Sequence, residues 1–184
     1  MRIILFMLLM QLMAASSVAQ DAASLPTPEF VNQVYAVGKD NQLKQLEKAD
    51  AQIKTRNKVV TATQSYLIRG ANSSVKFPAN EVQFVVSTGG GQGFGSDPSQ
   101  QFALMRFESK KGNRECSTGF GGMQNKKDKN SSSEISLNLK NAGEDVYVLV
   151  PNKSLEKGEY AFINKLSMQG GMQMKFDAYA FSIE

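Results

Sequence analysis

The feature that most constrains the fold is the stretch from Asp145 to Ile163, which contains two alternating runs joined by a strong turn signal. In the first run, residues 146–150 place valines on one side of an extended chain and Tyr147 and Leu149 on the other, so both sides are apolar. Pro151 ends this run because proline has no amide hydrogen to give a neighbouring strand. The run therefore predicts a central strand.

The second run begins with the pattern Leu155-x-x-Gly158-x-Tyr160. This pattern is typical of the tyrosine corner of Greek-key sandwiches, in which a buried phenol hydroxyl bonds to upstream backbone. Gly158 allows the backbone to bend with positive φ. We therefore expect a structural role for Tyr160 at a crossing between two sheets.

Short extended runs separated by turn signals recur along most of the chain. The predicted strands cover residues 30–37, 59–68, 75–77, 82–87, 101–109, 114–118, 135–139, 146–150, 160–168 and 172–183. Lys111-Gly112-Asn113 predicts a hairpin turn between two of them. Because helices do not alternate with these strands, the pattern predicts an all-β fold, an immunoglobulin-like or Greek-key antiparallel β-sandwich of about eight to ten strands.

One segment, residues 42–55, has a different period. Leu43, Leu46, Asp50 and Ile53 fall at helical steps, and good helix formers fill the positions between them. The segment predicts one short N-terminal helix, and a charged edge strand is the alternative.

The N-terminal residues have the pattern of an export signal. Arg2 precedes an apolar run over residues 3–13, and Ser17-Val18-Ala19 forms a small-x-small cleavage site. We expect a signal peptide over residues 1–19, a flexible leader over residues 20–28 and a single domain over residues 29–184. No later stretch is apolar for long enough to cross a membrane, so the predicted location is secreted or periplasmic.

Composition excludes several classes of function. The chain has no histidine, which removes triads and most zinc hydrolases, and Cys116 is its single cysteine, so no intramolecular disulfide forms. Removing Arg2 leaves 20 basic against 17 acidic side chains, a net charge of +3, without the concentrated basic face that nucleic-acid binding needs. We expect no enzymatic activity, no cofactor and no nucleic-acid partner.

Two long loops, residues 88–99 and 119–133, are the predicted recognition surfaces. The first is rich in glycine but lacks the Gly-Lys-Ser/Thr end of a phosphate-binding loop. The candidate binding residues are Phe94, Asp97, Phe120, Lys126 and Lys127. Because loops at the ends of a sandwich commonly carry recognition, we predict a binding or structural module whose partner is a protein or a cell-envelope component.

A methionine cluster supports an alternative function. Met168, Met172 and Met174 flank a Gly-Gly turn, and a hairpin there would bring their thioethers together. Soft thioether sulfur binds Cu(I) without having to lose a proton. The alternative is therefore a periplasmic Cu(I)-binding protein.

Four segments also carry a resemblance. These are Ile68-Arg69-Gly70-Ala71-Asn72-Ser73, Asp97-Pro98-Ser99, Lys110-Lys111-Gly112-Asn113-Arg114 and Leu155-Glu156-Lys157-Gly158-Glu159-Tyr160-Ala161-Phe162. Together they resemble exported bacterial β-sandwich proteins without assigned activity, over about the last two-thirds of the chain, and Gly-Glu-Tyr-Ala-Phe is the most specific piece. The resemblance implies an exported β-sandwich and supplies no functional residues.

Overall fold

The computed structural model describes residues 25–57, 62–79, 82–89, 97–117, 133–168 and 175–184. Within these ranges the chain forms thirteen strands and two very short helices. The strands are β1 (Val34–Val37), β2 (Leu43–Gln45), β3 (Glu47–Asn57), β4 (Ala62–Arg69), β5 (Lys76–Phe77), β6 (Gln83–Ser87), β7 (Phe102–Lys110), β8 (Asn113–Ser117), β9 (Glu134–Ile135), β10 (Leu137–Gly143), β11 (Val146–Pro151), β12 (Gly158–Asn164) and β13 (Lys175–Ile183). The helices are α1 (Pro98–Gln101) and a 3₁₀ helix (Leu166–Met168).

Five strands form an antiparallel sheet in the order β10-β11-β6-β1-β2. The predicted central position of β11 is confirmed, since β11 pairs with β10 on one side and with β6 on the other. Leu149 packs into the space between the two layers of the protein, whereas Val146 packs on the opposite face beside Tyr35 and Val85. Both faces of β11 are therefore apolar and covered.

The remaining large sheet closes on itself. Its strands follow the order β12-β13-β3-β4-β8-β7, and β7 pairs back to β12, which makes a closed six-stranded antiparallel barrel. The closing register places Ala161 opposite Met105 and Phe162 opposite Leu104. Two short strands extend this barrel: β9 pairs with β7, and β5 runs parallel to the end of β13.

The barrel interior contains the side chains that alternate inward from its six strands. They are Ala51, Ile68, Ala103, Met105, Phe107, Cys116, Ala161, Ile163, Phe176, Ala178 and Ala180. Five of these eleven residues are alanine. A barrel of only six strands has a narrow interior, so small side chains are what it can hold.

The second core lies between the outer wall of the barrel and the five-stranded sheet. Phe84 of the sheet meets Phe162 and Phe181 of the barrel, with ring centroids 4.7 and 4.9 Å apart. All three rings are fully buried, and each contributes roughly 1.5–3 kcal/mol through removal from water. This core fixes the sheet against the β7-β12-β13 side of the barrel.

The tyrosine corner predicted at Tyr160 is confirmed. The buried Tyr160 hydroxyl donates a hydrogen bond of 2.7 Å to the backbone oxygen of Glu156, and Gly158 between them has a φ of +157°. The corner fixes the segment that crosses from β11 in the five-stranded sheet to β12 in the barrel. This crossing segment, residues 152–157, forms one wall of the site described below.

A polar network fills one end of the barrel. Arg114, which is 1% exposed, donates hydrogen bonds to the Glu47 carboxylate at 2.6 Å and to backbone oxygens of Arg69 and Gly70. Glu47 and Glu159 also accept hydrogen bonds from the backbone and side chains of the turn that follows β4. The turn therefore closes this end of the barrel over a buried guanidinium.

The all-β, antiparallel part of the predicted fold is confirmed, and the hairpin at Lys111-Gly112 is found as predicted. An open sandwich was expected, but one of the two layers is the wall of a closed barrel. The predicted strand over residues 30–37 also begins later than expected. It starts at Val34, and Phe30 and Val31 are exposed.

The helix predicted over residues 42–55 is wrong. This segment forms β2 and most of β3. Ala49, Ala51 and Ile53 pack into the barrel interior, and the intervening residues are polar or charged. The strand period was hidden because the inward residues are mostly alanine, which is also a good helix former. The alternative of a charged strand is right about the strand, although β3 lies between β13 and β4 rather than at an edge.

The predicted signal peptide and most of the predicted leader lie outside the described residues. Among the helices within the described ranges, none is long and apolar enough to span a bilayer. The assignment of residues 29–184 to a single domain stays a prediction.

Candidate functional site

The candidate site lies where β7 changes its partner along one edge. From Lys110 back to Glu108, β7 pairs with β8, and the register ends at the Glu108–Glu115 pair. Beyond that point the backbone nitrogen of Arg106 donates instead to the backbone oxygen of Ser133 at 2.8 Å, and Met105 pairs with β9. The strands β8 and β9 therefore form a fork along β7.

A cleft of about 690 Å³ opens at this fork. We call it the fork cleft; it is bounded by Arg106 to Glu108 of β7, Glu115 to Ser117 of β8, Ser133, and the crossing segment. Successive residues of a strand point to opposite faces, so a cavity on one face of a sheet touches only alternate residues. The fork cleft touches consecutive residues of both strands, and so it lies in a gap of the barrel wall.

Charged side chains of both signs form the rim of the fork cleft. Arg106, Lys110 and Lys153 line it together with Glu108, Glu115 and Glu156, three cations and three carboxylates among the described residues. The described part of the rim is electrically balanced. It differs from the basic groove of a nucleic-acid binder and from an acidic metal site.

Each carboxylate of the rim forms an ion pair with a cation of the protein. Glu156 meets Arg106 at 2.7 Å, and Glu115 meets Lys54 at 2.6 Å. The Arg106–Glu156 pair joins β7 to the crossing segment, with side chains that are 46% and 76% exposed. Exposed pairs of this kind stabilise a fold by only about 0–1 kcal/mol, so a charged ligand can displace one partner with little loss.

The floor of the fork cleft is apolar. Its buried lining residues are Phe107 and Cys116 from the barrel interior and Ile135, Leu155 and Tyr160 from the interlayer core. Burial raises the pKa of Cys116 to about 11, so the thiol keeps its proton at neutral pH. An apolar floor beneath a polar rim, with a volume inside the usual range of roughly 300–1,000 Å³, is the arrangement of a ligand-binding cleft.

A smaller cavity of about 450 Å³ lies on the other side of the crossing segment. Val37, Val82, Val150 and Ile183 line it, at one end of the core between the sheet and the barrel. Its lining includes lysines and no carboxylate among the described residues. Val82 and Ile183 pack in the interlayer core, whereas Val37 packs on the opposite face of the five-stranded sheet.

Only one of the five predicted loop residues lies within the described part of the chain. Asp97 caps α1, where its carboxylate accepts hydrogen bonds from the Ser99 backbone nitrogen at 2.8 Å and from the Ser99 hydroxyl at 2.7 Å. This is a structural role in a short helix. The other four residues, Phe94, Phe120, Lys126 and Lys127, lie outside the described residues. The predicted binding function of both loops stays a prediction.

The second predicted loop, residues 119–133, lies outside the described residues except for Ser133. Ser117 and Ser133, which line the cleft, are the last described residue before that part of the chain and the first after it.

The methionine cluster is described in part. Met168 is the last residue of the 3₁₀ helix, whereas Met172 and Met174 lie outside the described residues. The described ranges contain no group of three or more histidine, cysteine or acidic side chains placed to hold a metal ion. The Cu(I) alternative stays a prediction.

The residues of the fork cleft were missed by the sequence reasoning, although one signal was present. Phe102 and Leu104 of β7 pack into the interlayer core, and Arg106 and Glu108 follow on the same side of the strand. A change from apolar to charged residues on one face marks where a strand leaves a covered core. In β7 that change occurs where the cleft begins.

Comparison of the chain with protein-family models, with curated proteins and with solved structures gives no match in any of the three. The class that the fold and the site define is an all-β protein with a ligand-sized gap in the wall of a barrel. The geometry of the fork cleft therefore carries the functional proposal.

Proposed function

We propose that this protein is a secreted or periplasmic, non-catalytic binding module that holds its partner in the fork cleft. The observation that carries the proposal is a cleft of about 690 Å³ cut through the barrel wall, with an apolar floor and a balanced charged rim. The partner is a protein or another component of the cell envelope. The export signal predicted at residues 1–19 supports this location.

The chemistry of the cleft supports binding rather than catalysis. Its carboxylates form ion pairs with lysine or arginine, whereas glycoside hydrolysis needs one carboxyl group that donates a proton. The Cys116 thiol has a raised pKa and is a poor nucleophile for that reason. With no histidine in the chain, the cleft also lacks the commonest general base.

We also propose a fold class more specific than all-β. We assign the chain to the Greek-key relatives of the immunoglobulin sandwich, with a barrel that replaces one sheet. The hydrogen bond from Tyr160 to the Glu156 backbone supports this assignment, since such corners occur where a Greek-key chain crosses between sheets. The exported bacterial β-sandwich proteins that the sequence resembles are consistent with it.

The test is capture of a partner from a cell-envelope extract with three forms of the protein. Ser117→Trp places a large ring at an exposed strand end that lines the fork cleft. Asn138→Trp places the same ring at an exposed position of β10, in the other sheet, and is the matched control. We expect the wild type and Asn138→Trp to capture the same partner, and Ser117→Trp to lose at least nine-tenths of the capture. Equal capture by all three forms would show that the fork cleft is not the binding site.

A further inference from the structure

The geometry points to an extended peptide segment as the ligand of the fork cleft. This inference rests on the proposed function and specifies the chemical class of the partner. It predicts that the ligand lies along the gap between β8 and β9, with its main chain beside the ends of those strands and its side chains alternating between floor and rim.

The fork cleft lies where strand β8 ends and strand β9 begins. The β7–β8 register stops at Glu108 and Glu115, and Ser117 is an exposed strand end that lines the cleft. On the other side, Ser133 leads into β9 and bonds to β7 through its backbone oxygen. An extended peptide offers main-chain donors and acceptors at the spacing of a strand, which is how peptides add to exposed sheet edges.

The lining of the fork cleft combines apolar and charged side chains. In an extended ligand, successive side chains point in opposite directions, one set towards a pocket and the other towards solvent. The fork cleft provides both environments: aliphatic side chains at Leu155 and Ile135, and a charged rim at Arg106 and Glu108. A compact small molecule would need polar groups that converge on one point, whereas these groups are spread along the rim.

The charged side chains of the fork cleft include both signs. Three cations and three carboxylates line the cleft among the described residues, so this part of the lining has no net attraction for a polyanion such as nucleic acid or an anionic membrane surface. A peptide presents side chains of both signs. The Arg106–Glu156 pair is exposed at the mouth, so either partner can be exchanged for a charged side chain of the ligand.

Sugars fit the cleft less well than peptides. Glycan sites usually stack a sugar ring on an exposed aromatic face. Tyr160 and Phe107 are only 1% and 3% exposed, and the chain has no tryptophan. Among the described residues of the cleft, no aromatic face is open to a sugar ring.

The experiment is selection of binders from a phage-displayed library of random twelve-residue peptides on the purified protein. Dissociation constants of the enriched peptides are then measured for the wild type, Ser117→Trp and Asn138→Trp. We expect enriched peptides to bind the wild type and Asn138→Trp equally, and Ser117→Trp at least tenfold more weakly. The unfolding midpoint of each variant establishes that it is folded.

A second selection, on Arg106→Glu, keeps the proposal falsifiable if Ser117→Trp fails to fold. Arg106 lies on the rim, so reversing its charge must change which peptides bind. We expect peptides selected on the wild type to lose at least tenfold in affinity for Arg106→Glu, and the peptides selected on that variant to carry the opposite charge at one position.

Two results would overturn the peptide inference. One is a failure to enrich any peptide from the library. The other is enrichment of peptides that bind Ser117→Trp and Arg106→Glu as tightly as the wild type. If partner capture from the envelope extract still depends on Ser117 in that case, the binding function stands and only the ligand class is wrong. If capture is also insensitive to Ser117→Trp, both fail.

Discussion

At the scale of single residues, Arg114 has the most demanding position in the molecule. Its guanidinium is 1% exposed and lies at one end of the barrel. Burying a charge is unfavourable unless partners compensate it, and Arg114 has the Glu47 carboxylate at 2.6 Å, Glu159 at 4.0 Å and two backbone oxygens. The stability of this end of the barrel therefore depends on two carboxylates that are far apart in the sequence.

The first prediction concerns Glu47. Glu47→Gln removes the charge closest to Arg114, and we expect it to lower the free energy of unfolding by about 2 kcal/mol. The matched control is Glu156→Gln, which weakens the exposed pair with Arg106 and should cost less than about 1 kcal/mol. Urea denaturation of the two variants measures both values. Equal losses would contradict the buried pairing of Arg114.

Glu47 should also make the stability of the protein depend on pH. Burial alone would raise the pKa of Glu47, but hydrogen bonds from Arg114, Ser73 and Ser74 outweigh it and lower the pKa below the ordinary value of 4.5. A carboxyl group with a lowered pKa stabilises the folded state fully above the ordinary pKa and loses this effect as the pH falls through the folded-state pKa. The difference in stability between the wild type and Glu47→Gln should therefore shrink as the pH falls from above the ordinary value of 4.5 through the lowered folded-state pKa. A difference that is constant over this range would contradict the assignment.

At the scale of secondary-structure elements, β3 and β11 show why the sequence was informative for one and misleading for the other. Strand β11 faces apolar clusters on both sides, a large one between the layers and a small one on the opposite face, so its valines, tyrosine and leucine gave a strong signal. Strand β3 faces a narrow barrel interior, which accepts alanine at positions 49 and 51, and a polar outer surface. Alternating alanine and charge does not distinguish a strand from a helix, and helix propensity then decided the prediction wrongly.

The hairpin between β7 and β8 allows a prediction at this scale. Lys111 and Gly112 both have positive φ, +51° and +78°, as a two-residue hairpin turn requires. A Cβ on Gly112 would have no neighbour within 4 Å, so a substitution there acts only through the backbone. Gly112→Ala should lower stability by about 1 kcal/mol, and Lys111→Asn should raise it by about 0.5 kcal/mol. Thermal unfolding measures both, and opposite signs would contradict the turn.

The candidate site was harder to predict than the strands that build it. Each of β7, β8 and β9 has a recognisable local pattern, but the fork depends on which strand pairs with Arg106. That choice is made between segments distant in sequence, and local periodicity contains no information about it. The predicted recognition residues lie in loops and stay a prediction, and the cleft is lined by the strands on either side of one of these loops.

At the scale of the whole molecule, the unexpected feature is closure of the barrel by pairing of β12 with β7. A sandwich and a barrel give the same alternation along each strand, since both bury one face of every strand. The clue lay in the size of the buried residues, because Ala161, Ala178 and Ala180 share the face of their strands that lines the barrel, and a narrow barrel interior holds such small side chains. The size of the residues on the buried face of a strand, and not only their two-residue period, therefore distinguishes a barrel from a sandwich.

Closure predicts that the barrel interior does not tolerate added volume. Ala161 is fully buried and lies between Met105 and Ala180 in the register of the barrel. Ala161→Leu should lower the free energy of unfolding by about 1–3 kcal/mol through overpacking. Ala142→Leu, at an exposed position of β10, is the control and should change stability by less than about 0.5 kcal/mol. A stable Ala161→Leu variant would contradict a narrow, filled barrel.

The closure of the barrel and the fork along β7 are tested most directly by inter-strand nuclear Overhauser effects along β7 in a labelled sample. The account predicts backbone contacts between Tyr160 and Arg106, which close the barrel, and between Glu108 and Glu115, the last pair before the fork. It predicts a contact between Arg106 and Ser133, and none between Arg106 and Ser117. A contact between Arg106 and Ser117 would mean that β8 continues along β7 and that the fork cleft does not exist.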